Sequence, residues 1–229
     1  MEAHRQATAD ETLLSAEPTR NLATPIARRT LDLVVACVTI VVLAPLMLAI
    51  VIAVRIDSRG PAVFRQTRLG RDKRPFTVLK FRTMYTHADE GRHRDYVRSL
   101  IAGNAERRPA GGLYKLYGDD RVTAVGRFLR RWSLDELPQL WNVMRGEMSL
   151  AGPRPVLGYE VDVYPAWYDE RFAVKPGLTG LWQVSGRNER TYEEMVRLDI
   201  EYVRRQSLGL DVLILARTAW TVMTRRGAA

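Results

Sequence analysis

At 229 residues, with 46% hydrophobic and 27% charged side chains, the chain suits one catalytic domain plus extras and excludes a second full domain. Its formal net charge of +9, carried mainly by Arg, suits an anionic membrane surface, polyphosphate substrates or nucleic acid without choosing among them. The single cysteine, Cys37, excludes an intrachain disulfide, and His4, His87 and His93 lack the spacing of a zinc site, so a reducing, cytoplasm-facing domain is expected.

Residues 1–24 are polar and read as a tail, with no signal-peptide pattern. Leu33 to Val54 is an uncharged apolar run of 22 residues. As a straight helix it would reach about 33 Å, enough to cross a bilayer core. Pro45 interrupts it, and Arg28 and Arg29 before it are matched by Arg55 and Arg59 after it. Because positive flanks stay on the cytoplasmic side, a hairpin that dips in and returns satisfies both ends, whereas a straight span satisfies one. Both readings stay open on these grounds, since spanning helices tolerate proline.

After the Arg59-Gly60-Pro61 turn, strands are predicted around Ala62–Phe64 and Phe76–Phe81, with Lys80 and Arg82 of the Lys80–Met84 segment on one strand face. Residues 86–120 read as a helix plus a loop. Val122–Arg131 has Val125, Phe128, Leu129 and Trp132 at helical spacing, expected to pack in the core, with Arg127, Arg130 and Arg131 between them. Leu210–Arg226 is a core helix or a helix in the membrane interface with Trp220 at headgroup level.

Ser133 followed by Glu136 forms a capping-box pattern, which predicts a helix start. In the plainest reading Glu136 only caps and Asp135 only favours the positive helix end. The neighbours argue for more. Arg130 and Arg131 precede the pair, Arg154 is locked between Pro153 and Pro155, and Lys175–Asn188 is a basic, turn-rich segment. A helix N-terminus and arginines suit phosphate, and two vicinal carboxylates can divide labour between nucleophile and metal holder.

The blocks KFRTM (80–84), DDRVTAVGRFLRRWSLDELPQLWNVMRGEMSLAGPRP (119–155), KPGLTGLWQVSGRN (175–188) and LDIEYV (198–203) together resemble the bacterial sugar transferases, the monotopic polyprenyl-phosphate phosphoglycosyl transferases. The resemblance covers most of residues 28–224. It implies an α-rich α+β fold: a monotopic membrane protein with a re-entrant helix–break–helix, amphipathic interfacial helices and a small cytoplasmic catalytic domain. The implied division is a tail at 1–27, a membrane hairpin at 28–59 and the catalytic domain at 60–229. The absence of the several spanning helices of larger relatives makes the chain look like a minimal member.

The implied activity is transfer of sugar 1-phosphate from a UDP-sugar to polyprenyl (undecaprenyl) phosphate, with UMP released through a covalent aspartyl intermediate. Asp135 is then the nucleophile, and Asp135 and Glu136 hold Mg2+. Lys80, Arg82, Arg130, Pro153, Arg154, Pro155, Gln183, Arg187, Asn188 and Asp199 are the implied substrate-binding residues. Partners are the two substrates and membrane lipids at the cytoplasmic face of the bacterial inner membrane. A homodimer is compatible with the pattern, and no nucleic acid is expected.

Overall fold

The computed structural model describes residues 24–86, 91–101, 119–186 and 190–224. Within them the chain is mostly helical, with two small sheets. The first element, α1 (Thr24–Asp57), is a 34-residue helix. It is continuous through Pro45, where a separate break was expected; a proline deletes one backbone donor and can bend a helix without ending it. Among the described residues this is the helix long and apolar enough to cross a membrane, and only 11% of its most apolar window is buried against protein. Its exposed Val34, Val38, Val41, Val42, Leu48, Ile52 and Ile56 would each gain from an apolar surrounding. The helix is therefore compatible with membrane association.

The buried residues of α1 are as informative as the exposed ones. Ala36 packs in one core cluster with Leu140, Val143, Met148 and Leu150, whereas Ile50 and Val54 pack in another with Ala62, Phe81 and Leu129. Polar contacts fasten both ends. Near the start, Arg28 bonds to Asp211 and Tyr202, and Arg29 donates to the carbonyls of Val143 and Met144. The Asp32 carboxylate accepts from the Ser149 hydroxyl and the Leu150 N–H. Near the end, Asp57 accepts from the Val125 N–H at 3.0 Å, and Arg82 donates to the carbonyls of Ser58 and Arg59. One domain thus grips both ends of the apolar helix.

The strands β1 (Val63–Leu69) and β2 (Pro75–Phe81) form an antiparallel hairpin in which Phe64 faces Lys80, Gln66 faces Val78 and Arg68 faces Phe76. These six residues alternate onto one face of the ladder. The helix α2 (Gly91–Ile101) follows, and then α3 (Ala124–Arg131), capped by the Thr123 side chain accepting from Gly126 N–H. On α3, Leu129 is buried as expected, but Phe128 is 57% exposed and leaves the core. A 3-10 turn (Leu134–Glu136) leads into α4 (Gln139–Arg145). Next come β3 (Ser149–Ala151), the short helix α5 (Gly158–Val161) and a 3-10 segment over Ala166–Ala173. The strand β4 (Gly177–Thr179) pairs parallel to β3, followed by the short α6 (Leu181–Val184), α7 (Tyr192–Arg205) and α8 (Leu208–Thr224). The core reading of α8 holds for Leu210 and Ile214, while Val212 and Trp220 on the other side are exposed.

Candidate active site

Asp135 and Glu136 sit on the 3-10 turn between α3 and α4, but the capping box expected there does not form. Ser133 adopts a left-handed conformation (φ 54°, ψ 21°) with no side-chain cap, and Pro138 follows where an α-helix would need a backbone donor. Glu136 instead turns outward, and its Oε1 accepts from Lys80 Nζ at 2.7 Å. A left-handed serine costs about 1 kcal/mol or more, so the turn holds the pair in a conformation that local propensity does not favour.

Two neighbours fix this geometry. Asn142, fully buried on α4, accepts from the Leu79 N–H (3.1 Å) and donates to Thr77 O and Glu147 Oε2 (both 2.7 Å). It locks the helix that follows the acidic pair onto the strand that carries Lys80. On the other side, a Cβ on Gly126 would lie 2.2 Å from the Thr83 carbonyl oxygen, so only glycine allows α3 to approach that close. One helical turn further on, Arg130 Nε donates to the Thr83 hydroxyl at 2.9 Å. Burial lowers the Arg130 pKa, and the negative charges of Asp135 and Asp119 counter that shift.

Beside Glu136 opens a small cleft lined by Arg68, Lys80, Gln139, Arg154, Pro155 and Gln183. Its three cations come from two places. Lys80 and Arg68 project from the shared face of the hairpin, and Arg154 comes from the segment after β3. The Gln183 Oε1 atom is buried without a hydrogen-bond partner and gives the cleft a neutral acceptor. Arg154 and Pro153 also line a second small cleft with Leu69, Phe172 and Pro176.

The Arg154 backbone is held from behind. Arg171 Nη2 donates to the Arg154 carbonyl and to Asp199 Oδ2, and the Asp199 carboxylate is hydrogen-bonded by the Arg154 N–H. Burial pushes the Asp199 pKa up to about 6, with the Arg171 charge opposing that shift. Arg171 also donates to Tyr164 OH, and Tyr192 OH donates to the buried Glu160, so the support is a continuous polar network.

Of the residues expected at the site, the fold brings together Asp135, Glu136, Lys80, Arg130, Arg154, Pro155 and Gln183, with Pro153 at the adjoining cleft. Arg82 is placed elsewhere: β2 ends at Phe81, and the Arg82 guanidinium caps the last turn of α1. Asp199 does not face the cleft; it is 1% exposed, paired with Arg171, and reaches the site through Arg154. Arg187 and Asn188 lie outside the described residues. Arg68, Gln139, Asn142 and Arg171 were missed: the sequence gives no sign that Arg68 turns inward from its strand, and the other three are placed by tertiary packing.

The residues that would hold a divalent cation are Asp135 and Glu136. Among the described residues no cluster of three or more His, Cys, Asp or Glu side chains could hold a metal alone. The adjacent carboxylates of Asp135 and Glu136 supply two hard oxygen donors beside a cationic cleft, and Mg2+ takes one or two carboxylates together with substrate phosphates.

A profile of the bacterial sugar transferase family matches residues 23–225. The UDP-galactose-lipid carrier transferase of Erwinia amylovora is 45% identical over 201 residues, which covers 88% of this chain and 41% of that protein. The undecaprenyl-phosphate galactose phosphotransferase of Salmonella typhimurium is 42% identical, covering 88% of this chain and 41% of its own. The UDP-glucose:undecaprenyl-phosphate glucose-1-phosphate transferase of Caulobacter vibrioides is 40% identical over 225 residues, 95% of this chain and 77% of that protein. The chain thus spans about two-fifths of the length of the first two relatives.

Proposed function

The chain belongs to the bacterial sugar transferase family, and on that premise we propose that it transfers a sugar 1-phosphate from a UDP-sugar to polyprenyl phosphate. The observation that carries this reading is the acidic pair on a strained turn at the rim of a cleft lined by Arg68, Lys80 and Arg154. That arrangement suits a carboxylate nucleophile beside a bound diphosphate.

In the proposed reaction Asp135 attacks the sugar-bearing β-phosphorus. The bond from that phosphorus to the bridging oxygen breaks, and UMP leaves with the electron pair. The resulting aspartyl phosphosugar is then attacked by the polyprenyl phosphate oxygen, which regenerates Asp135 and gives the lipid diphosphate sugar. Arg130 beside Asp135 favours the ionised carboxylate. Lys80 keeps Glu136 oriented at 2.7 Å and offsets the charge brought in by the nucleotide. Asp135 and Glu136 would hold Mg2+, which supplies charge neutralisation at the diphosphate.

The reading extends to topology. Two observations support a re-entrant α1 with the domain on the cytoplasmic face: both helix ends are fastened to the same domain, and both carry arginines. The step served is the first of membrane glycoconjugate or exopolysaccharide assembly.

The test is incubation of the membrane-reconstituted protein with polyprenyl phosphate, magnesium and a panel of UDP-sugars that includes glucose and galactose, with UMP as the readout. Labelled UDP-sugar without acceptor should leave phosphosugar on the wild-type chain and none on Asp135→Asn. Full turnover in Asp135→Asn would overturn the nucleophile, and no UMP from any UDP-sugar would overturn the transferase.

A further inference from the structure

Arg68 is a buried cation whose hydrogen bonds all go to neutral groups. Its side chain is 6% exposed. Nη1 donates to the Pro155 carbonyl at 2.7 Å, while Nε and Nη2 donate to Gln66 Oε1 at 3.1 and 2.9 Å. Those three bonds leave two of the five guanidinium N–H groups unassigned. Among the described residues no carboxylate forms an ion pair with it, and the strongest charge acting on it is the like charge of Arg154. Glu160 and Glu136 act on it without forming an ion pair, so a buried guanidinium with no carboxylate in direct contact lies on the wall of an open cleft, which is costly. Burial and Arg154 together draw its pKa down to about 10. An anion in the cleft would relieve both effects.

The hairpin register says which anion. Lys80, paired with Glu136 next to the nucleophile, faces Phe64, whereas Arg68 is four positions further along β1. Four strand residues correspond to roughly 13 Å of backbone, so Arg68 approaches the cleft from the side away from the acidic pair. We infer that Arg68, together with Arg154, holds the phosphate of the nucleoside monophosphate leaving group. The inference rests on the transfer reading above. When the bridging oxygen departs, that phosphate gains one negative charge, so two guanidinium groups bind the departing UMP more strongly than the intact UDP-sugar. Contacts that strengthen as a bond breaks raise turnover rather than only substrate affinity. The bond to Pro155 serves the same end, because it ties β1 to the segment that carries Arg154 and is reinforced by Leu69 N–H donating to Val156 O at 2.8 Å.

The experiment uses the full chain in lipid nanodiscs, with UMP and a short polyprenyl phosphate as separate probes for wild type, Arg68→Met and Arg68→Gln. Glutamine keeps a donor for Pro155 without the charge, so it also guards against a methionine variant that does not fold. The expected result is UMP affinity weakened about ten- to hundredfold in both folded variants, with polyprenyl phosphate affinity changed by less than about twofold. UMP affinity equal to wild type in either folded variant would overturn the inference, as would an equal loss for both probes. A wild-type protein that fails to bind UMP would overturn the transferase reading instead.

Discussion

Asn142 offers the sharpest test of how the acidic pair is held. Replacing it by Ala leaves the Leu79 N–H and the Thr77 carbonyl without their side-chain partner at part-buried positions. Glu147 is partly exposed and regains water, so it adds little. Two part-buried hydrogen bonds at about 0.5–1.5 kcal/mol each give a loss of roughly 1–3 kcal/mol. For a chain of this size that corresponds to a melting temperature lowered by about 2–12 °C. Asn142→Asp should be worse despite its matching shape, because it sets a carboxylate against Thr77 O and Glu147 Oε2, the latter now 2.7 Å from the amide nitrogen. Thermal unfolding in one fixed detergent measures the order, and hydrogen exchange at the Leu79 amide reports the broken lock directly. Wild-type stability in Asn142→Asp would refute the assignment of the amide as the bridge between α4 and β2.

Lys80→Met should cut turnover sharply while lowering stability by only about 1 kcal/mol, since the pair with Glu136 is partly solvated; a large drop in melting temperature would make Lys80 structural. Gly126→Ala forces a Cβ against the Thr83 carbonyl, so about 1–3 kcal/mol of stability should be lost and Arg130 displaced, measured as raised KM for UDP-sugar together with the melt. Asp199, whose pKa of about 6 lies above the ordinary 3.8, takes up its proton in the folded state first. Its contribution to stability therefore declines as pH rises from about 4 to about 6 and is level above. Activity runs the other way: protonation below pH 6 loosens the hold on Arg154, so kcat/KM should show an acid limb near 6 that Asp199→Asn lacks.

How much of this was legible depends on what each residue answers to. The apolar run, the two hairpin strands and the acidic pair follow from local pattern, and each stands near its expected place. Lys80 and Arg82 share a parity that suggests one strand face, yet the strand ends between them and Arg82 is drawn to the free carbonyls at the end of α1. Ser133 and Glu136 have capping-box spacing, but Lys80 competes for the carboxylate from a strand 56 positions away in sequence. Phe128 has core spacing on α3 and faces outward, because helical period fixes which residues share a side and leaves open what that side meets. Asp199 illustrates the same limit, since only the tertiary pairing with Arg171 tells a support from a ligand.

The way α1 is shared between two core clusters also governs what can be removed from the molecule. Ala36 closes the cluster around Met148 and Leu150, and Ile50 and Val54 close the one around Phe81 and Leu129. Trimming the helix to obtain a water-soluble form would strip one wall from each cluster and free Ser149 and Val125 from their partners. The long apolar helix and the fold packed against it are thus a single cooperative unit. A truncated form made without α1 would emerge from synthesis unable to complete its fold.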